Sequence, residues 1–417
     1  MHNLNKATRE IVSIWTSAGR VTALLIFLTV FPGVIQASPS RVIAIGDVHG
    51  NIGRLTTILK DSRLIDQKHD WSGGRSTLVV TGDFLDRGLY IREVMDLLMQ
   101  LQKQARKDKG EVIVLLGNHE MMNITGDLRY VPDEVYSRFA DKKSAERRRK
   151  AFEKYYKIRQ LQAKRSGRPM PEDLAAFEAE WMIAHPEGFV EYREALSSKG
   201  IYGRWLRNLP VVKKIGDTIF IHGGIHPDIA NLDLEVINDR VKKEIEAFDS
   251  RTRFLAEQGV IESFFTIDEL MTACKLELRR LNDKDNSVSF NRLHELEGLK
   301  KRVLSSILSM GSWLSVHPDG PLWFRGYAQW NEEEGTRKIE KLLARYSAHH
   351  FVIGHTITSD DRITQRFGGR VTMIDTIAPT ALEIENGLFT AIYYLGKREK
   401  LISSPVATLA AAEASSQ

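Results

Sequence analysis

The stretch Arg41-Val42-Ile43-Ala44-Ile45-Gly46-Asp47-Val48-His49-Gly50 runs a β-branched and aliphatic segment directly into a turn that carries an aspartate and a histidine. Short apolar runs bounded by turn residues read as buried strands. The same device recurs in fixed order. Leu78 to Thr81 leads into Gly82-Asp83-Phe84-Leu85-Asp86-Arg87-Gly88, and Val112 to Leu116 leads into Gly117-Asn118-His119-Glu120. Thr218 to Ile221 leads into His222-Gly223-Gly224, and Phe351 to Ile353 into Gly354-His355. Helical spacing over Ile52 to Leu64 and Leu89 to Lys103 separates the first three runs, and β-α-β-α-β order predicts a mostly parallel sheet. Each motif then lies just past the carboxyl end of a strand, where open α/β sheets form their ligand crevice.

Outward from these motifs, Thr372 to Asp375 reads as a further strand. Leu382 to Ile392 alternates on either side of Asn386-Gly387, the signal of a two-residue hairpin. Two long stretches, about 132–207 and about 227–322, are rich in Lys, Arg, Glu, Leu and Ala at helical spacing. They read as helical insertions that cap the crevice within a domain of about 41–400, and neither carries a repeat. The run Arg147-Arg148-Arg149-Lys150 is followed by interspersed Phe152, Tyr155, Tyr156, Ile158 and Leu161, which points to an amphipathic cap helix with a solvated basic face rather than a nucleic-acid or anionic-lipid site. The tail 403–417 is rich in Ala, Ser and Thr, and the expectation there is disorder.

The 417 residues suffice for a large core, and 42% hydrophobic with 27% charged residues is the balance of an ordinary globular protein. Net charge is only +5. One cysteine, Cys274, excludes an internal disulfide and a cysteine-rich zinc site. At the N-terminus Lys6, Arg9 and Arg20 precede an apolar run from Val21 to Phe31 that continues through Val34 and Ile35 to Gln36-Ala37. This pattern predicts a signal peptide over 1–37, or a membrane anchor through residues 21–36. Either reading puts the body of the protein outside the cytoplasm, in the periplasm of a bacterium or anchored at its membrane.

Asp47, His49, Asp83, Asn118, His222 and His355 combine hard oxygen with imidazole nitrogen, a ligand mix suited to Mn, Fe or Zn rather than Ca or Cu. Six such ligands are too many for one ion. If Asp83 bridges, Asp47 and His49 complete one metal site while Asn118, His222 and His355 complete the other. Two ions so placed share a hydroxide and polarise a phosphoryl oxygen, which is the logic of two-metal phosphate-ester hydrolysis.

The motif set resembles that of the calcineurin-like metallophosphoesterases, within the phosphoprotein phosphatase superfamily. The segment from Leu115 through Gly117-Asn118-His119-Glu120 to Asp127-Leu128-Arg129-Tyr130-Val131, with Pro321-Leu322-Trp323-Phe324-Arg325-Gly326-Tyr327-Ala328, is similar to the Shewanella-like protein phosphatases. The resemblance covers about 41–395. It implies an α/β fold, an αββα sandwich of mixed sheets with the helical insertions as a cap. It implies metal binding at the six ligands above, by two divalent ions with manganese first and iron or zinc as alternatives. His119 would be the general acid, oriented by Asp86, while Arg87, Asn118 and Arg325 hold the substrate phosphate. A metal-bridging hydroxide would attack directly, without a phosphoenzyme.

The implied substrate is a phosphorylated protein or peptide, on tyrosine or on serine and threonine. Leu116 stands where the eukaryotic serine/threonine enzymes have arginine, and Met373-Ile374-Asp375-Thr376 replaces their C-terminal pattern. A hydrolase of diadenosine polyphosphates or other small phosphate esters is the competing enzyme reading. A catalytically silent scaffold is the competing reading outside enzymes.

Overall fold

The computed structural model describes residues 41–166, 170, 172–283, 292–358 and 360–402. The expected signal or anchor over 1–37 and the tail 403–417 lie outside the described residues. Strands β1 (Arg41–Ile45), β2 (Thr77–Val80) and β3 (Glu111–Val114) follow the three aliphatic runs. They pair parallel, with Ile43 opposite Leu78 and Leu78 opposite Val112. Helix α1 (Ile52–Asp61) starts on Asn51, whose side chain accepts the Arg54 N–H, and ends three residues before the expected Leu64. Helix α2 (Ile91–Lys107) begins two residues later than expected and runs four further, burying Val94, Leu98, Leu101 and Ala105 along one face.

The third strand turns into the short helix α3 (Asn118–Thr125), every residue of which is buried. The first insertion follows as α4 (Asp133–Ser137), α5 (Ser144–Ser166), α6 (Leu174–Ala184), α7 (Phe189–Ala195) and α8 (Ile201–Leu206). The chain re-enters the sandwich at β4 (Val212–Ile215) and β5 (Thr218–Ile221). It leaves again through α9 (Leu234–Glu257), α10 (Ile267–Asp283) and α11 (Arg292–Leu308), and returns by α12 (Gly326–Gln329) and α13 (Glu332–Arg345). The remaining strands are β6 (His350–Ile353), β7 (Thr364–Arg366), β8 (Val371–Met373), β9 (Thr380–Glu385), β10 (Leu388–Tyr393) and β11 (Arg398–Lys400). The strand expected through Asp375 stops at Met373, which frees Asp375 from the ladder.

Two mixed sheets result, ordered β11-β10-β9-β1-β2-β3 and β4-β5-β6-β8-β7. Strands β5, β6 and β8 are parallel, with antiparallel β4 and β7 at the edges. Alternation along each strand divides the core. Val42, Ala44 and Val79 pack between the sheets with Phe220, Val352 and Leu382, whereas Ile43, Ile45, Leu78 and Val80 join the cluster under the helices. The hairpin of β9 and β10 closes on Asn386 and Gly387, with φ of 51° and 76°, the left-handed pair that a tight turn of this kind needs. This is the αββα sandwich that the motifs imply.

The basic run on α5 is spent on local pairs. Arg147 meets Asp141 and Glu191, Arg149 meets Glu153, and Lys150 meets Glu146. On the opposite side of that helix Phe152 and Tyr155 pack against Phe177 and Trp181. Tyr327 is wholly buried, its hydroxyl donating to the Ile225 carbonyl, so it packs rather than lining a groove. Among the described residues no helix is long and apolar enough to cross a membrane.

Candidate metal centre

Six parallel strands deliver a carboxylate, amide or imidazole from their carboxyl ends to one place, and the turns that do so are strained. His49, Asp83, Asp86, Arg87 and His355 hold φ of 46°, 51°, 64°, 64° and 66°. Each such non-glycine residue costs on the order of 1–3 kcal/mol, tolerated where the surroundings over-determine the conformation. The motif glycines allow close approach. A Cβ on Gly117 would stand 2.2 Å from Asp83 Oδ1, and one on Gly354 would stand 2.5 Å from Asp47 Oδ1.

Glu120 is what holds the second motif in this shape. Its buried carboxylate accepts the backbone N–H of Asp83 (2.8 Å) and Gly117 (2.8 Å) on one oxygen, and of Phe84 (2.9 Å) and Leu85 (3.0 Å) on the other. Glu120→Gln turns one of those oxygens into a donor facing two donors. The expected loss is about 3 kcal/mol of folding stability, from two N–H groups left without acceptors, read as a lower urea midpoint at unchanged slope.

Around Asp83 the donors converge. Asp83 Oδ2 lies 3.2 Å from His222 Nε2 and 3.8 Å from His119 Nε2. His222 Nε2 is 2.9 Å from Asn118 Oδ1, and His49 Nε2 is 3.8 Å from Asp47 Oδ2. Ligand atoms of Asp83, His222 and His355 all fall within 4.8 Å of one another, as do those of His49, Asp83 and His119, so Asp83 is common to two donor groups. Each imidazole is aimed by a carbonyl on its other nitrogen: His49 Nδ1 by Leu85 (3.0 Å), His222 Nδ1 by Thr81 (2.9 Å) and His355 Nε2 by Trp323 (3.0 Å). Such partners fix which nitrogen faces a metal.

The electrostatics fit a cation. Asp47 and Asp83 are buried, and among the described residues neither is paired with a lysine or arginine. Burial, then the charges of Asp375 and Asp83, push Asp47 well above the carboxylate range. Burial also lowers His49 to about 4 and His355 to about 3, so both imidazoles are neutral with a lone pair to offer at pH 7. Buried carboxylates clustered with imidazole lone pairs, with neither Asp47 nor Asp83 in contact with a lysine or arginine among the described residues, are the donor set of divalent ions.

Beside this group stands an acid–base pair. His119 Nδ1 is 2.7 Å from Asp86 Oδ2, and both residues are almost wholly buried. Burial opposes the imidazolium, but the Asp86 hydrogen bond and the charges of Asp83 and Asp86 outweigh it and raise the His119 pKa above its ordinary value. His119 Nε2 faces Arg87 Nη2 at 3.3 Å, and the Tyr130 ring closes over both, 5.1 Å from the imidazole and 5.8 Å from the guanidinium. Arg325, exposed, donates to the His355 carbonyl (2.8 Å) and to Thr356 Oγ1 (2.9 Å), which puts it at the rim on the other side.

All ten residues singled out from the sequence therefore gather in one place, Arg325 at its rim. Glu120, Asp375 and Asn123 were missed. Asp375 follows β8 as the other ligands follow their strands, and burial raises its pKa to about 6 beside Asp47. That regularity was the signal available. Asn123 donates to Asp86 Oδ1 at 2.7 Å.

Residues 40–359 match the family described as calcineurin-like phosphoesterase. The chain is 30% identical over 230 residues to Shewanella-like protein phosphatase 1 of Plasmodium berghei, covering 54% of this chain and 51% of that protein. It is 33% identical over 216 residues to Shewanella-like protein phosphatase 2 of Arabidopsis thaliana, covering 50% and 53%. The chain thus spans about half the length of these curated relatives. Among solved structures, the cold-active protein-tyrosine phosphatase of a psychrophilic Shewanella species superposes with a TM-score of 0.54 over 87% of this chain and 80% of that one, at 24% identity, a likeness of fold.

Proposed function

Because the chain belongs to the calcineurin-like phosphoesterase family, we propose that it is a phosphomonoesterase, dependent on two divalent metal ions, that acts on phosphorylated protein. The observation that carries this is the sharing of Asp83 between two donor groups beside the His119–Asp86 pair. Asp47, His49, Asp83, Asn118, His222 and His355 hold the ions, manganese being the first choice. When bound, the ions supply a nucleophilic water at neutral pH and Lewis-acid polarisation of the phosphoryl oxygens. His119, kept protonated by Asp86, gives its Nε2 proton to the leaving oxygen. Arg87 and Asn118 hold the phosphoryl oxygens, with Arg325 reaching in from the opposite rim.

The names of the relatives support a protein substrate. The test is a panel of phosphotyrosine peptide, phosphoserine peptide and diadenosine tetraphosphate with Mn2+, with phosphopeptide expected to lead in kcat/KM. A dinucleotide preferred by orders of magnitude would instead make the chain a small-ester hydrolase. Arg87→Ala is expected to lower phosphopeptide kcat/KM by on the order of 10²-fold, the loss of a paired charge-assisted contact worth about 3 kcal/mol, with metal content unchanged. Export is part of the same proposal, supported by the basic and apolar pattern of the first 37 residues. N-terminal sequencing of the mature protein checks it, with Ser38 the expected first residue of a cleaved form.

A further inference from the structure

His119 does not end at Asp86. The Asp86 carboxylate is wholly buried and takes one donor on each oxygen, the His119 imidazole at Oδ2 and the Asn123 side-chain amide at Oδ1, each at 2.7 Å. Asn123 is wholly buried too, and its Nδ2 also donates to the His119 carbonyl at 2.9 Å. Its Oδ1 accepts the hydroxyl proton of Tyr192, which comes from helix α7 of the first insertion, 69 residues along the chain. Tyr192 is fully buried, with its ring met on edge by Tyr136 at 5.3 Å and Phe139 at 5.0 Å, and burial keeps its phenol neutral. The neighbouring Arg193 donates to the Asn123 carbonyl at 2.9 Å, so the same helix also grips the backbone of α3.

A carboxamide has two ends of nearly equal size and opposite hydrogen-bonding sense. Turned the wrong way, Asn123 would present Oδ1 to a carboxylate oxygen and push Asp86 away. The Tyr192 hydroxyl, donating to Oδ1, makes the other orientation the stable one. We propose that Tyr192 and Asn123 are positioning residues for the general acid, through which the helical insertion sets the orientation of Asp86 and so of His119. This rests on the reading of His119 as the proton donor.

The experiment uses the full chain with Mn2+ and two aryl esters. Phenyl phosphate has a poor leaving group that needs a proton, and 2,4-dinitrophenyl phosphate has one that does not. Tyr192→Phe is expected to lower kcat on phenyl phosphate by roughly 10-fold, and Asn123→Ala by on the order of 10²-fold, within the range that a placed acid contributes. On the dinitrophenyl ester each loss should stay below about 2-fold, with KM and bound metal unchanged. In a His119→Ala background neither change should cost anything further, because residues acting as one unit are not additive.

Equal losses on the two esters, losses that add to His119→Ala, or no loss at all would overturn the proposal. Should Asn123→Ala not fold, Tyr192→Phe, which deletes one oxygen from a ring held at its edges, carries the test alone. A wild-type chain inactive on both esters and on phosphopeptide would instead refute the phosphatase reading. An active wild type whose variants show no leaving-group dependence refutes only the positioning role.

Discussion

Exchanging Asp83 for asparagine is expected to empty the centre of metal and to end turnover. Asp83 is the one residue common to both donor groups, with Oδ2 3.2 Å from His222 Nε2 and 3.8 Å from His119 Nε2. The neutral amide removes the negative charge that the imidazoles of His222, His119 and His49 stabilise against the cost of its burial. It also has a single oxygen, and with that oxygen on the His119 N–H the place of Oδ2 is taken by an NH2 group that has no lone pair to offer an ion. The backbone contact survives, because an amide oxygen can still accept the His119 N–H that now reaches Asp83 Oδ1 at 3.0 Å. Folding should therefore persist while loading fails. Without the ions both the nucleophile and the Lewis acid are gone, and the loss in kcat/KM should exceed the roughly 10⁴-fold upper range of a single general acid. Metal analysis beside a thermal melt checks this: a folded, metal-poor, inactive protein is expected.

His119→Ala is the complementary case. The imidazole touches Asp86, Arg87 and Tyr130, and its nearest approach to Asp83 is 3.8 Å. Its removal takes away the proton donor but none of the six ligands. The expected result is a fall in kcat of about 10²- to 10⁴-fold with metal content nearly unchanged. The fall should shrink as the leaving group becomes a weaker base. Equal metal loss in the Asp83 and His119 variants would show that the roles are wrongly divided, and would make His119 a ligand beside His49 and Asp83.

The contrast between these residues and Tyr192 shows what the chain makes legible. Asp47, Asp83, Asn118 and His355 each follow an aliphatic run and a glycine, and His222 follows its run directly with Gly223 behind it, so a buried strand beside a glycine leaves a local trace at every one. The hairpin at Asn386-Gly387 is legible for the same reason, since two residues of left-handed backbone define it. Asp375 escaped because the run Thr372 to Asp375 reads as strand to its end, whereas β8 stops at Met373 and leaves Asp375 past it. Strands β7 and β11 are as short and carry Thr, Gln, Arg, Glu and Lys at partly exposed positions, so neither alternation nor apolarity marks them.

Which strands share a sheet is set by packing. Phe220 and Val352 meet Val42 and Val79 only once the two sheets are stacked. Glu120 stood inside a motif already singled out, yet its four N–H partners come from backbone turned by other residues. Tyr192 lies in an insertion whose composition reads only as helix, and its link to Asn123 is a tertiary contact across 69 positions.

The central claim is that one aspartate joins two ion sites into a phosphatase centre, and it is tested most directly by titrating the metal-stripped full chain with Mn2+ while turnover of a phosphopeptide is followed. No turnover is expected without metal, followed by a rise that breaks at two ions per chain. Full turnover in the stripped chain, or a break at one ion, would contradict the claim.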